Sequence, residues 1–162
     1  MRGVDFDIVV LVLAGTLTAL MGGLMFSFAV ANNTGLRLVD DRTYITAVQK
    51  INLRIVNPVF LPAFLGPVLL LPLATILAAG TGAFGWLLAA SIAYIVGPFG
   101  VTVTQNIPLN KRLDTVDVAT ASDEDLATAR GWFEQPWIRR HTVRTTLAVL
   151  AVVLVLIAAT QI

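Results

Sequence analysis

Charged residues fall in clusters along this chain. They leave three long stretches without Asp, Glu, Lys or Arg: residues 8–36, 55–110 and 145–162. A helix needs roughly 20 apolar residues to cross a hydrocarbon layer about 30 Å thick. The first stretch holds one such span, near 8–31. The middle stretch has 56 residues. As one straight helix it would be roughly 84 Å long at about 1.5 Å per residue, so it must fold back. Gly80-Thr81-Gly82-Ala83-Phe84-Gly85 is the natural turn, because clustered glycines weaken a helix and supply positive φ angles. Spans near 56–79 and 84–104 follow. The last stretch has 18 residues and extends upstream, giving a span at 141–160 with His141 and Arg144 at the headgroup level. The expected fold is all-α, a four-transmembrane-helix bundle forming one domain over residues 1–162. Such helices satisfy their backbone polar groups internally, as lipid requires.

The polar segments carry their own periodicity. Ile45, Val48, Ile51 and Ile55 recur at helical spacing after Asp40-Asp41, which predicts a capped amphipathic helix on the membrane interface, running into the second span. Ser122 with Asp123, Glu124 and Asp125 marks another helix start, and Leu126, Ala129 and Phe133 give it an apolar stripe that Pro136 ends or bends. Residues 113–121 read as a flexible connector. Trp132 and Trp137 suit aromatic anchors at the headgroups.

Ten of the eleven basic residues fall in the two long polar segments, against Arg2 alone on the other side. The positive-inside rule therefore predicts an inner-membrane protein with cytoplasmic long loops and both termini outside. Ala29-Val30-Ala31 imitates a cleavage site, but the apolar run exceeds a signal core of about 7–15 residues and the flank carries Asp5 and Asp7, so a retained span is expected. Gly15, Ala19 and Gly23, and likewise Ala89, Ala93 and Gly97, form small-residue faces. Bundle packing explains these better than a narrow pore. Pro58, Pro62, Pro67 and Pro72 favour kinks in the second span, either to open space for a ligand or to fit the bundle.

Composition agrees with a membrane protein: 57% hydrophobic and 13% charged, against about 25% charge in soluble domains. With no cysteine there is no disulfide, thiolate metal site or iron–sulfur cluster. A net charge of +1 gives no reason to expect a nucleic-acid partner. Gly80, Gly82 and Gly85 match G-x-G-x-x-G, but no strand precedes them and no acid follows about 20 residues on. Asn32-Asn33-Thr34 is a formal sequon on the side assigned to the cytoplasm. One histidine excludes bis-histidine haem within the chain, and no Glu-x-x-His pair exists for a di-iron bundle site. No charge lies mid-membrane, which argues against ion-coupled transport.

What remains is a set of polar residues at one membrane level. Asn52 and Asn57 enter the second span, Gln105, Asn106 and Asn110 leave the third, and Trp137, His141 and Arg144 enter the fourth at i, i+4 and i+7 on one face. A cation, a titratable imidazole and several amides suit a flat, weakly acidic organic molecule. The same residues equally suit snorkelling, capping and solvated roles.

The segments Asn52-x4-Asn57-Pro58-x-Phe60, Asn106-x-Pro108-Leu109-Asn110 and Trp137-x3-His141-x2-Arg144-Thr145 resemble the anthrone oxygenase-like family of four-helix membrane proteins. The resemblance implies oxidation of a lipophilic aromatic or phenolic compound, as in anthrone to anthraquinone, without a metal or flavin cofactor. On that reading His141 removes a proton alpha to a carbonyl, Arg144, Asn106 and Asn110 stabilise the oxyanion, and Trp137 stacks on the rings. Asn52 and Asn57 complete the substrate-binding set, and the carbanion meets dioxygen directly. The expected partners are the lipid bilayer, a lipophilic small molecule and dioxygen, and the sequence leaves an oligomer open. The alternative is a non-enzymatic membrane protein that binds a lipophilic ligand or a partner. A haem or metal on His141 alone also stays open.

Overall fold

The computed structural model describes residues 5–161. Arg2, the lone basic residue counted for the opposite face, and Ile162, which ends the third charge-free stretch, lie outside the described residues. Among the described residues the chain forms five helices and no strand. They are α1 (Phe6–Leu36), α2 (Asp41–Ile55), α3 (Phe60–Leu77), α4 (Phe84–Leu113) and α5 (Asp123–Ala159). All but α2 are long and apolar enough to cross a membrane.

The four long helices close into a bundle in which α1 packs on α3 and α5, and α4 packs on α3 and α5. Small side chains set the spacing. Ala14, Ala90, Ala148 and Ala151 are fully buried, beside Leu71, Leu87 and Tyr94. The Tyr94 hydroxyl donates to the Phe64 carbonyl at 2.9 Å, so the ring is buried without stranding its polar tip. Large apolar side chains also face outward all round the bundle, Leu69 at 72%, Ile76 at 69% and Leu156 at 63% exposure. An outer surface of this kind belongs in hydrocarbon rather than water.

Local chemistry sets the helix ends. Asp40 Oδ1 accepts from the Thr43 amide at 3.0 Å and caps α2. The Thr43 hydroxyl and amide hold the Asp40 carboxyl below its ordinary pKa. Ser122 and Asp125 form a reciprocal capping box at the start of α5. Gly80 takes φ +85° in the turn between α3 and α4, a conformation that suits glycine.

Two expectations need correction, and two helices run well beyond the spans assigned to them. The interfacial helix does not run into the second span: the chain breaks at residues 56–59 and α3 starts at Phe60. Pro58 cannot donate an amide there, and Asn57 Oδ1 accepts instead from the Val59 and Phe60 amides, 2.9 Å each, which caps the new helix. The third helix continues past 104 to Leu113. The helix expected from Ser122 and the one that holds the fourth span are a single helix, which begins at Asp123 and passes through Pro136 unbroken. Packing of Phe133, Trp137 and His141 on either side of the proline outweighs the one amide donor it removes. Residues 113–121 are held rather than loose. Gln49 Nε2 donates to the Leu113 and Val116 carbonyls at 2.9 Å, and Arg42 donates to those of Val118 and Ala121.

Two stretches wind more widely, with π-helical hydrogen bonding: Phe28–Asn32 in α1 and Ile95–Asn106 in α4. Such turns are rare and favour functional sites. The second accommodates Pro98 inside a helix and ends on Asn106.

Candidate functional site

His141 sits where α1, α4 and α5 meet, with 1% of its surface exposed. Its Nδ1 lies 3.0 Å from Arg144 Nε. A guanidinium only donates, so Nδ1 carries the lone pair and the proton resides on Nε2. That Nε2–H donates to the Met25 carbonyl of α1 at 3.0 Å. The imidazole is thus neutral, with both nitrogens engaged. Thr145, one turn further along α5, donates its hydroxyl to the His141 carbonyl at 2.7 Å.

Trp137, one turn earlier, stacks on the imidazole with ring centres 4.9 Å apart and planes 15° from parallel. Phe28, at the start of the α1 π turn, meets the imidazole edge-on at 6.2 Å. The Trp137 indole donates to Asn110 Oδ1 at 2.8 Å, and the Trp137 carbonyl accepts from Asn106 Nδ2 at 3.4 Å. Trp137 is 9% exposed, so it is a wall of this cluster rather than a headgroup anchor.

Arg144 completes the ring of contacts. Its Nη1 donates to Thr102 Oγ1 of α4 at 2.8 Å, and its guanidinium carbon lies 5.2 Å from the Trp137 ring centre. Among the described residues no carboxylate pairs with it; the ion pairs instead involve Arg37, Arg42 and Arg130. A half-buried cation without a counter-ion attracts an anion. Asn106 Oδ1 is also open: the residue is 1% exposed and this acceptor has no hydrogen-bond partner. Among the described residues no three His, Asp or Glu side chains gather to hold a metal ion.

Five of the seven residues expected from sequence therefore come together: Asn106, Asn110, Trp137, His141 and Arg144. The other two do not join them through hydrogen bonds. Asn57 commits its amide to backbone groups of residues 54–60. Asn52 lines a groove with Gln49, Lys50, Leu53, Val56 and Asp114. Sequence reasoning passed over Thr102, whose one signal is its place four residues before Asn106, and the Met25 carbonyl, which no side-chain pattern announces.

A family model described as anthrone oxygenase matches residues 55–154, from the end of α2 almost to the end of α5. The chain belongs to the anthrone oxygenase family. No curated protein and no solved structure matches it. The stretch shared with the anthrone oxygenase model contains Asn57, Thr102, Asn106, Asn110, Trp137, His141 and Arg144. Asn52, Met25 and Phe28 fall outside it. In this anthrone oxygenase-family chain, α1 therefore supplies one wall of the cluster from beyond the matched region.

Proposed function

We propose that this protein is a membrane-embedded oxygenase that oxidises a lipophilic phenol or anthrone-like ketone with dioxygen, without a bound cofactor. The carrying observation is Asn106 Oδ1, a buried acceptor with no donor, in the same cluster as Arg144, a cation with no counter-ion; both residues contact Trp137. A ligand that fits both presents a hydroxyl donor to Asn106 and an acidic oxygen to Arg144. Leaving such an acceptor unmade costs about 1–3 kcal/mol, which a bound hydroxyl recovers.

The hydrogen bonding suggests an order of events. In the ligand-free arrangement Arg144 occupies the only lone pair of His141. A substrate oxygen that draws the guanidinium to itself frees Nδ1, which then takes the proton alpha to the substrate carbonyl. Arg144 holds the developing oxyanion in a water-poor site, while Asn106 Oδ1 accepts from a substrate hydroxyl. The electron-rich carbon reacts with dioxygen, so that one methylene and one O2 become one ketone and one water. Trp137 offers a face for the rings. The protein lies in the inner membrane with long loops cytoplasmic and both termini outside, as its ten-to-one basic asymmetry supports.

The test is oxygen uptake by the purified protein with a hydroxylated anthrone, with the quinone product followed by absorbance. Wild type consumes one O2 per quinone, and both His141→Ala and Arg144→Gln lose turnover. Turnover unchanged in His141→Ala removes that residue from the base role. A second reading, binding without chemistry, draws on the engagement of both imidazole nitrogens. It predicts stoichiometric anthrone binding with no oxygen uptake.

A further inference from the structure

A groove of about 520 Å³ lies between the C-terminal half of α2 and the end of α4. Its chemistry is mixed in an ordered way. Lys50 brings a cation, Asp114 an anion, Gln49 and Asn52 two amides, and Leu53 and Val56 an apolar wall. Gln49 holds the Leu113 and Val116 carbonyls, so the two sides of the groove are fixed to one another.

Three observations indicate what occupies it. Neither Lys50 nor Asp114 takes part in an ion pair among the described residues, although both line the same groove. Asn52 Nδ2 is a buried donor with no acceptor. The apolar wall continues along the outside of the molecule through Leu53, Val56 and Val59, 68%, 64% and 83% exposed, straight to the start of the membrane-spanning α3. The ligand therefore carries a negative and a positive group a short distance apart, offers oxygen acceptors, and has an apolar body that runs into the bilayer.

We propose that this groove is a binding site for the headgroup of an aminophospholipid. The phosphodiester faces Lys50 and the Asn52 amide, the primary ammonium faces Asp114, and an acyl chain lies along Leu53, Val56 and Val59. A purely anionic lipid meets the Asp114 carboxylate, and a trimethylated headgroup brings no N–H donors to it. Selection for a primary amine follows from Asp114, and general phosphate affinity from Lys50.

The experiment is native mass spectrometry of the purified protein with dioleoyl phosphatidylethanolamine, phosphatidylcholine or phosphatidylglycerol. Wild type retains the ethanolamine lipid over the other two by roughly three- to fivefold, the worth of one partly exposed charge pair. Asp114→Asn abolishes that preference while keeping overall lipid retention. Lys50→Gln weakens retention of all three lipids. Both side chains are exposed, so the variants keep the wild-type unfolding temperature. Equal retention of the three lipids by wild type overturns the proposal. So does a preference that survives Asp114→Asn. Glycerophosphoethanolamine, which lacks acyl chains, competes only weakly. If it binds as tightly as the intact lipid, the site takes a soluble ligand and the lipid assignment falls.

Discussion

Gly97 marks a close approach of α4 to α5. A Cβ added there would stand 2.4 Å from Leu147 Cβ, 2.8 Å from its Cδ1 and 3.1 Å from its Cγ. Carbon atoms settle at about 3.5–4.0 Å, so Gly97→Ala forces a gap of about 1 Å or more. The two outer atoms of Leu147 escape by changing rotamer, whereas Cβ moves only with the backbone of α5. The cost of such overpacking is about 1–3 kcal/mol. The strain reaches the site, because Thr102 and Asn106 follow Gly97 on the same π stretch, and the Asn106 bond to the Trp137 carbonyl is already long at 3.4 Å. Equilibrium unfolding in detergent or bicelles measures the loss directly. Leu147→Ala keeps the offending Cβ and fails to rescue Gly97→Ala. Leu147→Gly removes it and restores stability relative to the Leu147→Gly single variant, as a double-mutant cycle reports. If Gly97→Ala unfolds within about 0.5 kcal/mol of wild type, or if Leu147→Ala rescues it fully, the close approach is not where the strain lies.

Two further variants separate structure from chemistry. Asn106→Leu keeps the branched shape but removes the unpartnered acceptor and a single long bond; the relief of the acceptor offsets the cost of the bulkier methyl groups, so stability stays within about 1–2 kcal/mol of wild type while anthrone binding and oxygen uptake fall; unfolding and calorimetry on the same preparation check both halves. Arg130→Met strips donors from Glu134, Asp41 and the Val39 carbonyl, all within 2.9 Å, and loses the stack on Tyr44. The expected destabilisation is about 1–3 kcal/mol by denaturant unfolding, with little change in ligand affinity at the His141 cluster.

The bundle was legible because lipid imposes a simple rule on length and charge: a 56-residue run without a charged side chain has to turn, and glycines stood at its middle. Helix boundaries were less legible where the deciding partner lies far off in sequence. Pro136 reads as a stop or a bend by its own chemistry, yet the packing around Phe133 and Trp137 carries α5 through it. Residues 113–121 read as loose because their anchors, Gln49 and Arg42, sit more than 60 positions away. At the site, helical spacing brought out Trp137, His141 and Arg144 correctly as one face. Spacing does not say what an asparagine bonds to, and so Asn57, a helix cap, looked the same as Asn106, a buried acceptor. The direction of the Arg144–His141 bond needed coordinates, and it changes the chemistry, because the candidate base starts with its lone pair covered.

Helix α5 runs 37 residues, roughly 55 Å at about 1.5 Å per residue, which outreaches a hydrocarbon layer of about 30 Å by nearly half its length. Its first part carries Arg130 and its grip on α2, and His141 and Arg144 follow roughly three to four turns later on the same helix. Both belong to one unbroken helix, so the contacts Arg130 makes with α2 and those His141 makes with α1 are held in fixed register.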